Sequence, residues 1–221
     1  MPEPIAPETL DALFRCARKQ TPDVALRMLG QVATGMPADL VINGFALHDL
    51  ADPRLVDPSR PGVAPRILAP LDEISLSEWG LCLSRCDAGQ GDGRLDWLQP
   101  GLVALRAGML MRCLDTAFLH LEGRESLGQK LLHHQLMKAR FSTLNADVMR
   151  LQDELGTPAL QRDAAGLAAM QRLLTGHFRE AAKLMGGHGL LAGRLHALEF
   201  LANIVMAIHA PRAPDRIGSL A

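Results

Sequence analysis

Two short segments of the chain contain residue types that suit a phosphate ligand. The first runs from Arg124 to Gln135, and the second contains Lys183 and the pair Gly186-Gly187. A guanidinium presents a planar fork of N–H donors that matches a diphosphate, and two glycines let a backbone approach a ligand closely. Taken singly, a Gly-Gly pair is usually a turn, and an arginine at a helix start is usually solvated. Their order, and a separation of about 60 residues within a helical pattern, make the combination more specific.

Two other constellations carry less chemistry. His133 and His134 are adjacent, and successive side chains on a helix point about 100° apart, so the pair does not converge on a metal ion. Ser75 and Ser84 lack the G-x-S-x-G turn that exposes a hydrolase nucleophile. The sequence therefore predicts neither a metal site nor a serine hydrolase.

Composition places the chain among globular proteins. It has 221 residues, of which 48% are hydrophobic and 21% are charged. A net charge of −1 gives no electrostatic reason to expect nucleic acid or an anionic membrane as a partner. The slightly positive mean hydropathy of +0.08 favours an apolar surface that a partner covers, and hence an oligomer.

The four cysteines, Cys16, Cys82, Cys86 and Cys113, form neither a zinc pattern nor a disulfide framework, so we expect free thiols. The N-terminus lacks the basic start and apolar run of a secretory signal. No segment approaches the ~18 uninterrupted apolar residues of a membrane span. These features predict a cytoplasmic protein without a membrane span.

The first 99 residues are predicted to form a helical and loop-rich region. Apolar periodicity indicates helices at 9–19 and 22–33, the second opening at Pro22 behind Thr21. Prolines and glycines then interrupt the chain as far as Pro100, with short strands expected at 40–42, 66–68 and 81–83.

Residues 100–221 are predicted to form four long helices. Helical periodicity is broken only near Gly123, at Gly156-Thr157-Pro158 and at Gly186-Gly187. In this prediction Leu131 and Leu132 belong to the second helix, and Pro158 starts the third. Helices of roughly 20 residues joined by short turns favour an antiparallel four-helix bundle, so the fold class is mainly α with minor β strands.

The first segment resembles a family pattern. Acyl-CoA dehydrogenases carry R-x-x-F-G, then L, then Q, between the first two helices of their C-terminal domain. Arg124, Gly128, Leu131 and Gln135 match in residue and spacing, and Leu127 replaces the phenylalanine. The chain therefore resembles this family, and the surrounding run is similar to its isovaleryl-type branch.

The second segment resembles the turn between the third and fourth helices of the same domain. That turn reads Q-x-x-G-G-x-G-Y in the family. Gly186, Gly187 and Gly189 match it, whereas Lys183 replaces the glutamine and Leu190 replaces the tyrosine.

The resemblance implies a flavin-binding surface built from both segments. Its FAD-facing residues would be Arg124, Leu127, Gly128, Gln135, Lys183, Gly186, Gly187 and Gly189. In the family these positions bind the diphosphate and adenine part of FAD on the neighbouring subunit. The resemblance thus implies a homodimer, or a heteromer with an acyl-CoA dehydrogenase-type subunit, and acyl-CoA as a ligand.

The chain departs from the family at the catalytic base. Family enzymes use a glutamate to remove the proton alpha to the thioester while the flavin accepts a hydride. Where most members carry it, this chain has Ala210-Pro211-Arg212, and where the isovaleryl branch carries it, Leu98 stands. Asp96 is a nearby carboxylate. The roughly 100 residues before the bundle are too few for both other family domains, so residues 1–99 are predicted to be a reduced remnant.

Three interpretations follow. The first is a shortened acyl-CoA dehydrogenase-like subunit that contributes to a flavin site with itself or with a full-length partner, without the usual glutamate. The second is a non-catalytic scaffold or binding protein that kept the bundle and lost FAD. The third is an active dehydrogenase with an unrecognised base, for which Asp96 is the first residue to test.

Overall fold

The chain opens with two helices of equal length. The computed structural model describes residues 3–71, 74–87, 95–126, 128–184 and 194–209. Helix α1 spans Pro7–Lys19 and α2 spans Pro22–Thr34, each with proline in its first turn, where the missing N–H is not needed. Both predicted helices are confirmed to within two residues at each end.

A five-stranded sheet follows. Its strands are β1 (Asp39–Ile42), β2 (Phe45–Asp49), β3 (Leu55–Val56), β4 (Ile67–Leu71) and β5 (Leu81–Cys86). The order is β3-β1-β2-β5-β4, and only the β1/β3 pair is parallel. The strands expected at 40–42, 66–68 and 81–83 correspond to β1, β4 and β5, whereas β2 and β3 were not predicted.

The β1–β2 connection is a two-residue hairpin turn. Asn43 and Gly44 occupy it, with φ of 55° and 80°. Positive φ at both central residues is the geometry that matches the twist of antiparallel strands, and Asn-Gly is its favoured sequence. This dipeptide was the available sequence signal for β2.

Longer helices make up most of the remaining described residues. After the short α3 (Ile74–Ser77) and a 3-10 turn at Asp96–Leu98 come α4 (Gln99–Glu122), α5 (Gln135–Leu155), the short α6 (Pro158–Gln161), α7 (Ala164–Leu184) and α8 (Arg194–His209). Their hydrophobic residues form one core that also includes α1 and α2. Among the described residues, no helix combines the length and apolar character needed to cross a membrane.

Helix α4 is the centre of this core. It packs against α1, α5, α7 and α8, and all residues from Pro100 to Met111 are buried. A helix that is apolar on every side needs neighbours on every side. The four long helices lie within the predicted segments; their assembly as an acyl-CoA dehydrogenase-type bundle, and a domain boundary at 99/100, remain predictions.

Two helix boundaries differ from the prediction. Leu131 and Leu132 lie in a 3-10 turn that follows a small hairpin of β6 (Glu125–Ser126) and β7 (Gln129–Lys130). The hairpin forms because Gly128 adopts a φ of 77°. The predicted third helix is split into α6 and α7, since the Asp163 carboxylate accepts the N–H of Ala165 at 3.0 Å and so caps a new helix.

Candidate functional site

The described parts of the two predicted segments lie towards the same end of the long helices. The rings of Phe118 on α4 and Phe141 on α5 are 5.9 Å apart, edge to face. His177 Nε2 on α7 lies 3.1 Å from Asp147 Oδ2 on α5. The Glu180 carboxyl on α7 also interacts electrostatically with Arg140 on α5. Together these contacts place the C-terminal parts of α4 and α7 beside the N-terminal part of α5.

Arg124, Gln135 and Lys183 therefore occupy the same end of the molecule. Arg124 is half-buried, directly after α4, and its carbonyl accepts the N–H of Leu131 at 2.8 Å. Gly128 is exposed in the small hairpin, where its positive φ gives it a turn-forming role. No side-chain contact joins the three polar residues to one another within the described part of the chain.

The start of α5 offers backbone donors. No side chain caps the helix, and Gln135, its first residue, is exposed. The N–H groups of Met137 and Lys138 both bond to the His134 carbonyl, whereas no acceptor among the described residues bonds those of Gln135 and Leu136. Free N–H groups at the positive end of a 21-residue helix attract an anion.

Lys183 is already engaged. Its Nζ donates to Glu180 Oε1 at 2.7 Å, one turn earlier on the exposed surface of α7. The hydrogen bond from Lys183 lowers the pKa of the Glu180 carboxyl. The other predicted positions of this surface, Leu127, Gly186, Gly187 and Gly189, lie outside the described residues.

The position of the isovaleryl-type base faces the core. Leu98 is 2% exposed and belongs to the main hydrophobic cluster. A carboxylate there would be taken out of water, which is unfavourable without a partner. Asp96, two residues earlier, is exposed. The alternative base position, 210–212, lies outside the described residues.

The structure adds one charged residue that the sequence analysis did not select. Arg106 is 0% exposed in the middle of the core, and its Nη2 donates to Thr175 Oγ1 at 2.9 Å. Its Nη1 donates to the carbonyl of Gln171 at 3.1 Å and also to the side-chain oxygen of Gln171. Burial lowers the Arg106 pKa to about 10, so the group stays charged at neutral pH. A single charge in the apolar run of α4 was the signal that could have identified it.

The described residues contain no cluster of three or more histidine, cysteine or acidic side chains that could hold a metal ion.

Comparison with solved structures identifies the fold. Over 93% of this chain and 81% of the other, it is similar to "FkbI for Biosynthesis of Methoxymalonyl Extender Unit of Fk520 Polyketide Immunosuppresant", with a TM-score of 0.62 and 13% identity. Butyryl-CoA dehydrogenase from Megasphaera elsdenii also matches, at a TM-score of 0.48 and 13% identity over 67% of this chain and 48% of that one. The complex of glutaryl-coenzyme A dehydrogenase with glutaryl-CoA matches at a TM-score of 0.48 and 13% identity, over 82% of this chain and 62% of that one.

The chain thus has an acyl-CoA dehydrogenase-like fold, which confirms the predicted resemblance at that level. No protein-family model matches the sequence, and no curated protein matches it. At 13% identity the likeness is one of fold. The isovaleryl-type branch and the shortening of the chain remain predictions.

Proposed function

We propose that the chain is an acyl-CoA dehydrogenase-like subunit that contributes to a flavin site, with itself or with a full-length partner. The observation that carries the proposal is the placement of Arg124, Gln135 and Lys183 at one end of the long helices. The fold shared with FkbI supports it. FAD held there would supply a hydride acceptor for a CH–CH oxidation.

The residues at this end fit a diphosphate. Arg124 is half-buried, two residues after the end of α4, and a guanidinium there can donate to a diphosphate. The free N–H groups at the start of α5 add donors of fixed direction. Gly128 and the predicted glycines of the second segment would let the backbone approach the ligand. The task of these residues is to bind and orient the cofactor.

The chain does not carry the usual catalytic glutamate in this proposal. Leu98 fills one family position and packs in the core. A full-length partner subunit would then supply the carboxylate that removes the alpha proton from acyl-CoA, since a second copy of this chain lacks it too. If the isolated chain oxidises acyl-CoA, Asp96 is the residue to test, and an unchanged rate in Asp96→Asn would exclude it as the base.

One alternative has a specific observation in its favour. Lys183 pairs with Glu180, and a lysine committed to its own helix is less available to a cofactor. Together with Leu98 in the core, this favours a non-catalytic scaffold that kept the fold and lost FAD. Such a protein would still assemble with itself or with a dehydrogenase subunit.

Flavin binding separates the two functions. The full chain is purified, its visible flavin absorption is recorded, and it is titrated with FAD alone and with a full-length acyl-CoA dehydrogenase subunit. Retained flavin supports the proposal. A colourless chain that fails to bind FAD under both conditions overturns it and favours the scaffold, whose assembly is then measured by light scattering.

The assigned contact is tested by substitution. Arg124→Ala should weaken FAD binding, whereas Arg124→Lys should retain part of it, because a lysine keeps the charge without the planar fork. Arg150→Ala is the matched control, since Arg150 is an exposed arginine that pairs with Glu154 on α5. Equal FAD affinity in the Arg124 and Arg150 variants would reject the diphosphate contact.

A further inference from the structure

A thiol, a hydroxyl and an imidazole lie in line across β2 and β5. Cys82 Sγ is 3.6 Å from Ser84 Oγ, and Ser84 Oγ is 2.9 Å from His48 Nε2. The strand register explains the alignment, because His48 stands directly opposite Cys82 in the antiparallel pair. Cys82 and Ser84 are two residues apart on β5 and so share one face of the sheet.

The direction of the hydrogen bonds follows from the backbone. His48 Nδ1 is 2.8 Å from the Asp49 carbonyl, which can only accept, so Nδ1 carries the proton. Nε2 of the neutral ring is then the acceptor of the Ser84 hydroxyl proton. Ser84 Oγ is left to accept from the Cys82 thiol, for which the Leu83 carbonyl at 3.6 Å is a second acceptor.

Burial separates the three groups into two roles. His48 is 3% exposed and Ser84 is 1% exposed, so water does not compete for the bond between them. Cys82 is half-buried, so it is more exposed than the two residues that take its proton.

Carboxylates lie near His48. Asp39 on β1 and Asp49 on β2 both interact electrostatically with the ring. Arg27 on α2 lies 3.6 Å from Asp39 and 3.4 Å from Asp49. Asp52 also lies within 3.9 Å of Arg27 and offsets its charge further.

We propose that Cys82 is a nucleophilic thiol, activated through Ser84 by His48, and a site of covalent modification by soft carbon electrophiles. With iodoacetamide the sulfur–carbon bond forms, the carbon–iodine bond breaks, and iodide leaves with its electron pair. The thiol proton passes to Ser84 while the Ser84 proton passes to His48. No oxidant or reductant takes part, and the proposal is independent of flavin binding.

The other three cysteines provide internal comparison. Burial raises the pKa of the thiols of Cys16, Cys86 and Cys113, with Cys113 fully enclosed in the core. A thiol that holds its proton more tightly forms less of the reactive thiolate. Cys113 also reports on folding, because it reacts only if the core opens.

The test is limited alkylation of the native full chain with iodoacetamide, with the rate at each cysteine read by peptide mass spectrometry. Cys82 should react fastest. Ser84→Ala and His48→Gln should each slow it roughly tenfold or more, in the range of general-base assistance. Ser84→Thr keeps the hydroxyl and should preserve the rate. A Cys82 rate that equals the Cys16 rate, or that Ser84→Ala leaves unchanged, overturns the proposal.

A variant that unfolds is recognised by a reactive Cys113. The unchanged native chain then decides the proposal by itself: Cys82 should react faster than Cys16 there, and equal rates overturn the proposal.

Discussion

The guanidinium carbon of Arg106 lies 5.7 Å from the centre of the Phe178 ring, where α4 packs against α7. The ring face carries partial negative charge and stabilises a cation above it. No carboxylate of the described residues pairs with Arg106, so this ring and the groups of Gln171 and Thr175 take the place of a counter-ion. One side chain thereby joins α4 and α7 through both packing and hydrogen bonds.

Arg106→Ala should lower the free energy of unfolding by about 3–5 kcal/mol, because it leaves a cavity and removes the donors to Gln171 and Thr175. Arg106→Met fills most of the volume and should lose clearly less. Urea denaturation at pH 7 measures both. A loss below about 1 kcal/mol in the alanine variant would show that the core relaxes around the site.

Gly108 on α4 packs closely against α1. A methyl group added there would lie 2.8 Å from the Ala17 Cβ and closer still to the Phe14 carbonyl oxygen. Gly108→Ala should therefore destabilise the protein by about 1–3 kcal/mol. Gly176 on α7 is exposed with open space around it, so Gly176→Ala should stabilise by roughly 0.5–1 kcal/mol. The denaturation midpoint should fall in Gly108→Ala and rise in Gly176→Ala, and shifts in the same direction contradict the prediction.

Helix periodicity was sufficient to locate α1, α2 and the four long helices, because each has an apolar face or a fully apolar run. Strand β2 is not located by apolar periodicity, because the sequence feature that marks it is the hairpin turn Asn43-Gly44. The split at Asp163 was missed because an unbroken apolar period hides a local capping bond. Helix α5 starts later than predicted because Gly128 permits a hairpin in front of it.

The candidate site stays a prediction. Arg124, Gln135 and Lys183 were chosen from their order along the chain, and the antiparallel contacts of α5 place them at one end. Sequence could not show that Lys183 bonds to Glu180, since many exposed lysines have an acid one turn away. The relay from Cys82 to His48 depends on strand register, which the sequence does not fix without knowledge of β2.

His209 should make stability depend on pH. Burial lowers its pKa to about 4, while an unfolded histidine has an ordinary value of about 6.5. Between these values the unfolded state binds a proton that the folded state does not. Stability should therefore fall as pH decreases from about 6.5 to 4, by roughly 3 kcal/mol. Urea titrations across this range measure the slope, and His209→Gln should reduce it; an unchanged slope would exclude His209 as the cause.

Asn43 links the hairpin to the last helix. Its side-chain amide donates to the Ile208 carbonyl at 3.0 Å. Asn43→Gly keeps the positive φ and removes the bond, so it should lose about 1 kcal/mol of stability. Asn43→Ala also pays for the left-handed backbone, a further ~1 kcal/mol. Equal stabilities of the two variants, measured by urea denaturation, would contradict this separation.

Breaking the pair of Lys183 and Glu180 tests the flavin surface by a substitution that should increase FAD binding. Glu180→Gln removes the negative charge 2.7 Å from Nζ, which weakens the pair and leaves the ammonium more available to an anionic ligand. If Lys183 faces FAD, the dissociation constant should fall several-fold, and the gain should shrink at high salt because the group is exposed. Glu154→Gln is the matched control, since its partner Arg150 lies on α5 at 2.8 Å and outside the predicted surface. If FAD affinity changes equally in Glu180→Gln and Glu154→Gln, the effect is one of overall surface charge and Lys183 has no specific contact with FAD.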